Sequence, residues 1–388
     1  MMHKGEYAFG MGNEAIVEGA IAAGARFYAG YPITPSSEIA EISSVRLPQV
    51  NGFYIQMEDE DGSVPAIVGA SAAGVKSFTA SSGPGICNMQ ENLGGAMALE
   101  VPCVVIDIQR GGPSTGRATK PSQGDVMQAR YGRHGDYDMV VYSPATVQEC
   151  YDLAIKCFNV SEKYRCPVIF LGDEVIAHLR ESYFKWIPEE GEIEYRKQPT
   201  CSQEDYAPYD FEAWEDEIAP LAPIGTPGYM THMTCIHHSK KGLNIVQGKE
   251  KPAVRTDKLV RHFTSKIQKN IDDIVLSKEF FTEDAEYYVV TYGCSLRPSL
   301  AAVKMARAQG IKVGLVQMQS IWPFNVKLVK DVFAMAKTVI VPEMNLGMVR
   351  GEMEKYRPSD VPLIGVNRVD AEIITPDEVL TAIKEAAK

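Results

Sequence analysis

Residues Tyr54 to Arg117 read YIQMEDEDGSVPAIVGASAAGVKSFTASSGPGICNMQENLGGAMALEVPCVVIDIQRGGPSTGR, and this stretch decides the fold. A short strand runs into four consecutive carboxylates, Glu58, Asp59, Glu60 and Asp61, placed where a helix should start. Acids there complement the helix dipole and cap its free amides. The helix expected over Val64 to Val75 is almost entirely Ala, Gly, Val, Ile and Ser. Side chains that small let other backbones or a flat ligand approach closely, and the composition predicts full burial. An apolar strand, Ser77 to Ala80, then meets the loop Ser81-Ser82-Gly83-Pro84-Gly85, and after a second helix the strand Cys103 to Gln109 ends at Arg110 and the loop Gly111 to Gly116. Strand ends that meet Gly-rich loops and helix N-termini are where an open parallel sheet binds ligands. One cleft is therefore expected to gather a carboxylate, an arginine and several hydroxyls.

Upstream, apolar spacing predicts a helix from Gly12 to Ala23 and a strand from Arg26 to Gly30. The segment Tyr31-Pro32-Ile33-Thr34-Pro35-Ser36-Ser37 follows, with Thr34 read as the cap and Pro35 as the first residue of the next helix. Downstream come a strand Met139 to Tyr142, a helix Ala145 to Ser161 and a strand Pro167 to Leu171. Such alternation predicts a parallel sheet covered on both faces. From about Ser182 to Asn244 the periodicity fades, and the run Thr231 to His238, rich in His, matches no zinc spacing and is expected as a surface loop. Thr256 to Leu276 is amphipathic. A second block begins at Glu286, with strands at Tyr287 to Thr291, Lys312 to Val316, Thr338 to Pro342 and Val361 to Val366 alternating with helices at Pro298 to Gln309, Val326 to Ala336 and Pro376 to Ala387. The expectation is two three-layer α/β/α domains, 1–185 and 281–388, joined by a connecting segment 186–280 that carries the amphipathic helix.

Bulk properties narrow the function. A chain of 388 residues with 45% apolar and 23% charged content is an ordinary globular composition, long enough for two cores. Its formal charge of -11 and lack of a Lys/Arg-rich run argue against nucleic acid. No segment reaches the roughly 18 apolar residues of a membrane helix, and the opening Met1-Met2-His3-Lys4-Gly5 has no signal-peptide core, so a cytoplasmic location is expected. The 8 cysteines include no C-x-x-C pair, so no metal or cluster site is expected in this chain, and Cys103, Cys157 and Cys166 are expected as reduced core residues.

The chain lacks G-x-x-x-x-G-K-[ST], a G-x-G-x-x-G between strand and helix, and a G-x-S-x-G elbow, so phosphate cradling and serine hydrolysis are not indicated. The acidic cluster before a small-residue helix is the positive signal. Extending the helical phase back from Val64, Ile67 and Val68 places Glu60 on the dry side, with Glu58 as the rival. A desolvated carboxyl has a raised pKa and can shuttle a proton near neutrality. Arg110, at a strand end, suits a planar carboxylate, unless it forms an internal ion pair.

The segments GNEAIVEGAIAAGARFYAGYPITPSSEIAE, QMEDED, TASSGPG, DIQRGGPSTG and QGDVMQARYGRHGD, and later WPF and VPEMNLG, resemble the α subunit of 2-oxoacid:ferredoxin oxidoreductases, most of all the 2-oxoglutarate type. The likeness is dense before Glu190 and good after Glu279, but thin between. It implies a pyrimidine-type thiamine-diphosphate-binding domain followed by a transketolase C-terminal-like domain. It also implies a thiamine-dependent oxidative decarboxylation of 2-oxoglutarate with CoA to succinyl-CoA and CO2, reversible in principle, with electrons passed through [4Fe-4S] clusters to ferredoxin. By motif position, Glu60 would be the acid on the cofactor's pyrimidine ring. Thr34 would be the hydroxyl near substrate and thiazolium, and Arg110 the ligand of the substrate carboxylate. Ser114 and Thr115 would discriminate substrate side chains, Tyr31, Pro32, Ser82 and Gly83 would border the cofactor, and Lys120 would pair with a distal carboxylate.

The family's G-D-G…N diphosphate motif and its Cys-rich cluster segments are missing; Gly124-Asp125-Val126 and Gly172-Asp173-Glu174 do not supply the former. The resemblance therefore implies a β subunit that completes the thiamine site, with Mg²⁺ and [4Fe-4S] held only by partner subunits, and separate γ and ferredoxin-like subunits. The alternatives are the same chemistry on pyruvate or 2-oxoisovalerate, or a non-catalytic scaffold subunit.

Overall fold

The structure is a computed structural model that describes residues 3–247 and 249–388. Its larger sheet has seven strands in the order Ser320–Trp322, Val140–Tyr142, Pro167–Asp173, Cys103–Gln109, Ser77–Ser81, Phe27–Gly30 and Phe53–Gln56. Every neighbouring pair is parallel except the first. The strands Ser77–Ser81, Cys103–Gln109 and Pro167–Asp173 are buried along their whole length, which is why the last two run mostly apolar without alternation, whereas the first alternates Ser and Thr with Phe and Ala.

Each face of that sheet carries its own helices. Val104 and Ile106 point into a core shared with the helices Gly12–Ala22 and Val147–Tyr164, while Cys103 and Val105 point to the opposite side, against Glu60–Ala72 and Gly83–Leu99. The first helix pair touches backbone to backbone: a Cβ on Gly19 would lie 2.9 Å from that of Ala154. Thr146 caps Val147–Tyr164 by accepting from the Glu149 amide, and the Glu149 carboxylate accepts in return from Ala145.

The smaller sheet runs Leu363–Asn367, Thr338–Glu343, Tyr287–Thr291, Val313–Met318 and Ser277–Phe280, with only the last strand antiparallel. Leu296–Arg307 and Pro376–Ala386 cover one face, and Val326–Met335 and Met348–Met353 the other, so both blocks have three layers. The blocks share a sheet. Ser320–Trp322 leaves the second block and pairs antiparallel with Val140–Tyr142.

Residues 187–251 hold only two short 3-10 turns among the described residues, yet they are anchored. Tyr206, Tyr209 and Leu221 are buried, Arg165 donates to the carbonyls of Pro208 and Ala219, and Arg196 forms a buried ion pair with Glu162 at 2.6 Å. The helix Pro252–Gln268 is tied to the first block by His262 and Lys266, which reach the buried Glu100 carboxylate at 2.8 and 2.7 Å. Burial alone would raise that carboxyl, but Lys266, His262 and Arg165 hold it well below the usual range.

Several expectations are corrected. Thr34 is not a helix cap: Ile33 accepts from the Ser36 amide in a turn, and the helix starts at Ser37. The small-residue helix starts at Glu60, four residues early, because Asp59 caps it by accepting from the Gly62 amide at 2.9 Å. It is not fully buried, since Asp61, Pro65 and Gly69 form an exposed stripe. Nor is the run rich in His all surface: His238 is buried, its ring tilted against that of Tyr209 with centroids 4.0 Å apart, its Nε2 paired with the Ala98 carbonyl at 3.1 Å. The antiparallel pair Gly5–Met11 with Arg180–Trp186 has no counterpart in the predicted elements.

Candidate active site

Glu60 is the one buried member of the acidic run, since Glu58, Asp59 and Asp61 are exposed. Its Oε2 accepts a long bond from the Asn88 amide at 3.3 Å, and its carboxyl carbon lies 2.8 Å from where a Cβ on Gly85 would sit. A glycine at the third position of Gly83–Leu99 is therefore what lets the carboxyl lie flat against that helix. The neighbouring hydroxyls of Ser81 and Ser82 are buried without a hydrogen-bond partner among the described residues. Buried polar groups are normally paired, so a strand end with two orphaned hydroxyls beside a buried acid has unused hydrogen-bonding capacity.

Arg110 is buried and forms no internal ion pair among the described residues. Its terminal nitrogens donate to the carbonyls of Thr34 at 2.8 Å and Thr115 at 3.0 Å, and its Nε has no partner. The guanidinium thus braces the loop after Phe27–Gly30 against the loop after Cys103–Gln109, with an N–H left over. Thr34 is half-buried; Tyr31, Pro32, Ser114 and Thr115 are exposed, and Gly83, partly buried, lies 3.9 Å from the Arg110 Cγ through its would-be Cβ. Glu60, Ser82, Gly83, Arg110 and Thr34 are thus gathered along adjoining strand ends of one sheet. Lys120 turns aside to an ion pair with Glu372 at 3.2 Å.

A cleft of about 1170 Å³ opens between the blocks, lined by Gly83, Asn88, Arg110, Ser114 and Arg117 on one side and Asn345, Leu346 and Arg368 on the other. Gln123 fixes its floor. Fully buried, it donates to the Tyr292 carbonyl at 3.1 Å and accepts from Ser295 and the Met344 amide at 3.1 and 2.9 Å. Asn345 returns a bond to the Gln123 carbonyl at 2.7 Å. Among the described residues, no group of three or more His, Cys, Asp or Glu side chains could hold a metal ion.

Sequence reasoning missed an acidic pair beside Arg110. Asp107 is buried at the end of its strand, and its carboxylate faces the Gly83 amide without either oxygen reaching a hydrogen bond. Burial pushes it well above the usual range, and the charge of Asp125 adds to this. Asp125 is itself pushed up to about 6 by burial, with Arg110 pulling the other way. The signal was present in DIQR, where an acid interrupts an apolar strand three residues before the arginine.

Two three-layer α/β blocks with a buried acid and an arginine at the strand ends of a shared cleft are the class these features define, and the cofactor they take comes from the family match. The chain matches the thiamine-diphosphate-binding family of pyruvate flavodoxin/ferredoxin oxidoreductases over residues 18–256, and core domain II of pyruvate:ferredoxin oxidoreductase over residues 285–379. It belongs to the 2-oxoacid:ferredoxin oxidoreductase family. It is 45% identical to the 2-oxoglutarate synthase subunit KorA of Methanocaldococcus jannaschii, over 97% of this chain and 98% of the relative. It is 34% identical to the ketoisovalerate oxidoreductase subunit VorB of Methanothermobacter thermautotrophicus, over 97% of each. The solved 2-oxoglutarate:ferredoxin oxidoreductase from Magnetococcus marinus, with 2-oxoglutarate, coenzyme A and succinyl-CoA bound, superposes with a TM-score of 0.89 at 32% identity. That match covers 99% of this chain, which spans 66% of the solved one. A split-gene transketolase, at 14% identity and a TM-score of 0.56, shares the fold. No helix among the described residues is long and apolar enough to cross a membrane.

Proposed function

We propose that this chain is the α subunit of a 2-oxoglutarate:ferredoxin oxidoreductase, active only with partner subunits, converting 2-oxoglutarate and CoA to succinyl-CoA and CO2 and passing two electrons to ferredoxin. The observation that carries the reading is the buried Glu60, laid against Gly85 at the head of its helix, on the same row of strand ends as Arg110. The orphaned hydroxyls of Ser81 and Ser82 and the long Asn88 contact leave room at Glu60 for a ring-nitrogen partner, so the residues fit the pyrimidine half of thiamine diphosphate. When bound, that cofactor supplies a carbon nucleophile whose activation depends on an acid hydrogen-bonded to its aminopyrimidine ring.

Glu60 would form that hydrogen bond with its buried carboxyl, where low water content strengthens it. Arg110, with an unpaired Nε, would bind the carboxylate next to the keto group, which relieves the cost of a buried unsatisfied donor. Thr34, tied to Arg110 through its carbonyl, would present its hydroxyl to the keto oxygen. Tyr31, Pro32, Ser82 and Gly83 would border the cofactor, and Ser114 and Thr115 the substrate side chain. A β subunit would cover the exposed Pro65 and Gly69 stripe and bring the Mg²⁺-diphosphate half of the site. That subunit, or a ferredoxin-like chain, would carry the [4Fe-4S] clusters, and a γ subunit would complete a cytoplasmic complex.

Co-purification tests this directly. The isolated chain should be colourless and inactive, becoming brown and active only with its partners. In the assembled complex Glu60→Gln should lower turnover by roughly 10² to 10⁴-fold. Full turnover by that variant, or substrate oxidation by the lone chain, overturns the reading, and equal kcat/KM for 2-oxoisovalerate removes the substrate assignment.

A further inference from the structure

Resting on that functional reading, we propose that Arg117 binds the distal carboxylate of the dicarboxylic 2-oxoacid and thereby sets substrate choice. Four cationic side chains stand at or beside the cleft: Arg110, Arg117, Lys120 and Arg368. Arg110 is committed to the two loops it braces and to the carboxylate beside the keto group. Lys120 is neutralised by Glu372 at 3.2 Å. Arg368 is held by Asp370 at 3.0 Å and Glu378 at 3.1 Å. Arg117 has no ion pair among the described residues and lines the cleft with an exposed side chain.

Its position relative to Arg110 follows from the backbone. The loop Gly111 to Arg117 closes on itself as an antiparallel bridge, with the Arg117 amide donating to the Gly111 carbonyl at 2.7 Å. The Gly111 amide donates in turn to the Lys120 carbonyl at 2.9 Å, so the return limb is pinned at two points. Bridge partners have Cα atoms about 5 Å apart, which places Arg117 on the rung beside the residue that follows Arg110. A five-carbon 2-oxo diacid has its two carboxyl carbons roughly 5 Å apart when extended. Both arginines line the same cleft from neighbouring rungs of one loop, so one diacid can reach both, and a monocarboxylic 2-oxoacid leaves the second one unused. Arginine also suits the role chemically, because its planar fork pairs a carboxylate through two parallel hydrogen bonds.

The turn between the two limbs is built for this approach. Ser114 and Gly116 both take positive φ, at 58° and 51°, folding the tip back so that the arginine ends on the cleft side. Specificity here comes from an attraction that only a substrate with a second carboxylate can make, so the preference is a difference of affinities rather than a rejection of the monocarboxylic analogue.

The test uses the assembled complex with 2-oxoglutarate and 2-oxobutyrate, a monocarboxylic comparison, and reads kcat and KM for each. Arg117→Gln should lower the ratio of kcat/KM for 2-oxoglutarate over 2-oxobutyrate at least tenfold, mainly through KM for the diacid, and Arg117→Lys should recover part of it. The exposed loop position should leave the melting temperature of both variants unchanged. An unaltered ratio, a loss shared equally by both substrates, or the selective loss appearing in Lys120→Gln instead overturns the assignment. Failure of the underlying reading looks different: the unsubstituted complex would itself show no preference for 2-oxoglutarate over 2-oxobutyrate.

Discussion

Gly85 stands at the third residue of Gly83–Leu99, facing Glu60, and its replacement by alanine separates position from stability. In an ordinary helix the change gains up to about 1 kcal/mol. Here the new Cβ would overlap the Ser81 hydroxyl oxygen and the Glu60 Oε1 and lie 2.8 Å from the Glu60 carboxyl carbon, whereas non-bonded carbons rest about 3.5 to 4.0 Å apart. The carboxyl must therefore retreat by roughly 1 Å. Because the obstacles are the far end of a flexible side chain and a Ser81 hydroxyl that has no hydrogen bond among the described residues to lose on rotating away, the fold should absorb them, and the melting temperature should move by only about 2 to 4 °C. A displacement of about 1 Å in a reacting group costs on the order of 10²-fold in rate. The assay is reduction of a ferredoxin or viologen acceptor by the assembled Gly85→Ala complex with saturating 2-oxoglutarate and CoA, alongside thermal melting of the chain. Turnover within about twofold of the unsubstituted complex, at unchanged melting temperature, would refute the reasoning, since the placement of the Glu60 carboxyl would then not matter. A melting drop of more than about 10 °C would refute its other half, the claim that the side chain rather than the backbone yields.

Other outcomes follow from the same geometry. Asp125 has its folded pKa raised to about 6 from an ordinary 3.8, so the folded chain binds this proton more tightly than the unfolded one. Its contribution to stability is present below about 3.8 and is lost as pH rises through 6. Asp125→Asn should accordingly raise the melting temperature at pH 8 and leave it nearly unchanged near pH 3.5; the reverse pattern would count against a raised folded pKa. Lys266→Met strips one cation from the buried Glu100, leaving His262 at 2.8 Å, and should cost about 3 kcal/mol by denaturant unfolding at pH 7. Gln123→Ala removes the side chain that joins the Tyr292 carbonyl, Ser295 and the Met344 amide. A loss of about 2 to 4 kcal/mol is expected, with protease sensitivity rising around Pro121 and Leu346.

The parts of the fold legible in the sequence were those whose signal is local. Cys103–Gln109 and Tyr287–Thr291 fall where apolar runs between turn residues placed them, because a strand buried on both faces is mostly apolar along its length. Glu60 was readable because acids at a helix start are common but only one can share the phase of Val64 and Ile67, and all three are buried. What escaped depends on distant partners. Ser320–Trp322 is three residues long and becomes a strand only because Val140–Tyr142 offers it an edge. The buried Glu100 is legible only once Lys266 and His262, more than 160 positions away, are brought to it. Asp107 hid in a strand whose neighbours are all apolar. Lys120 lay near enough in sequence to suggest a substrate contact, but Glu372 comes from the far end of the chain to neutralise it.

The exchange of Ser320–Trp322 between sheets makes the two blocks mechanically one body. A hinge between them would have to break backbone pairing as well as the Gln123 clasp, and both hold the width of the cleft they enclose. Cutting the gene after residue 280 would leave Val140–Tyr142 as a raw edge free to recruit another chain, and the fragment should associate with itself rather than persist as a monomer.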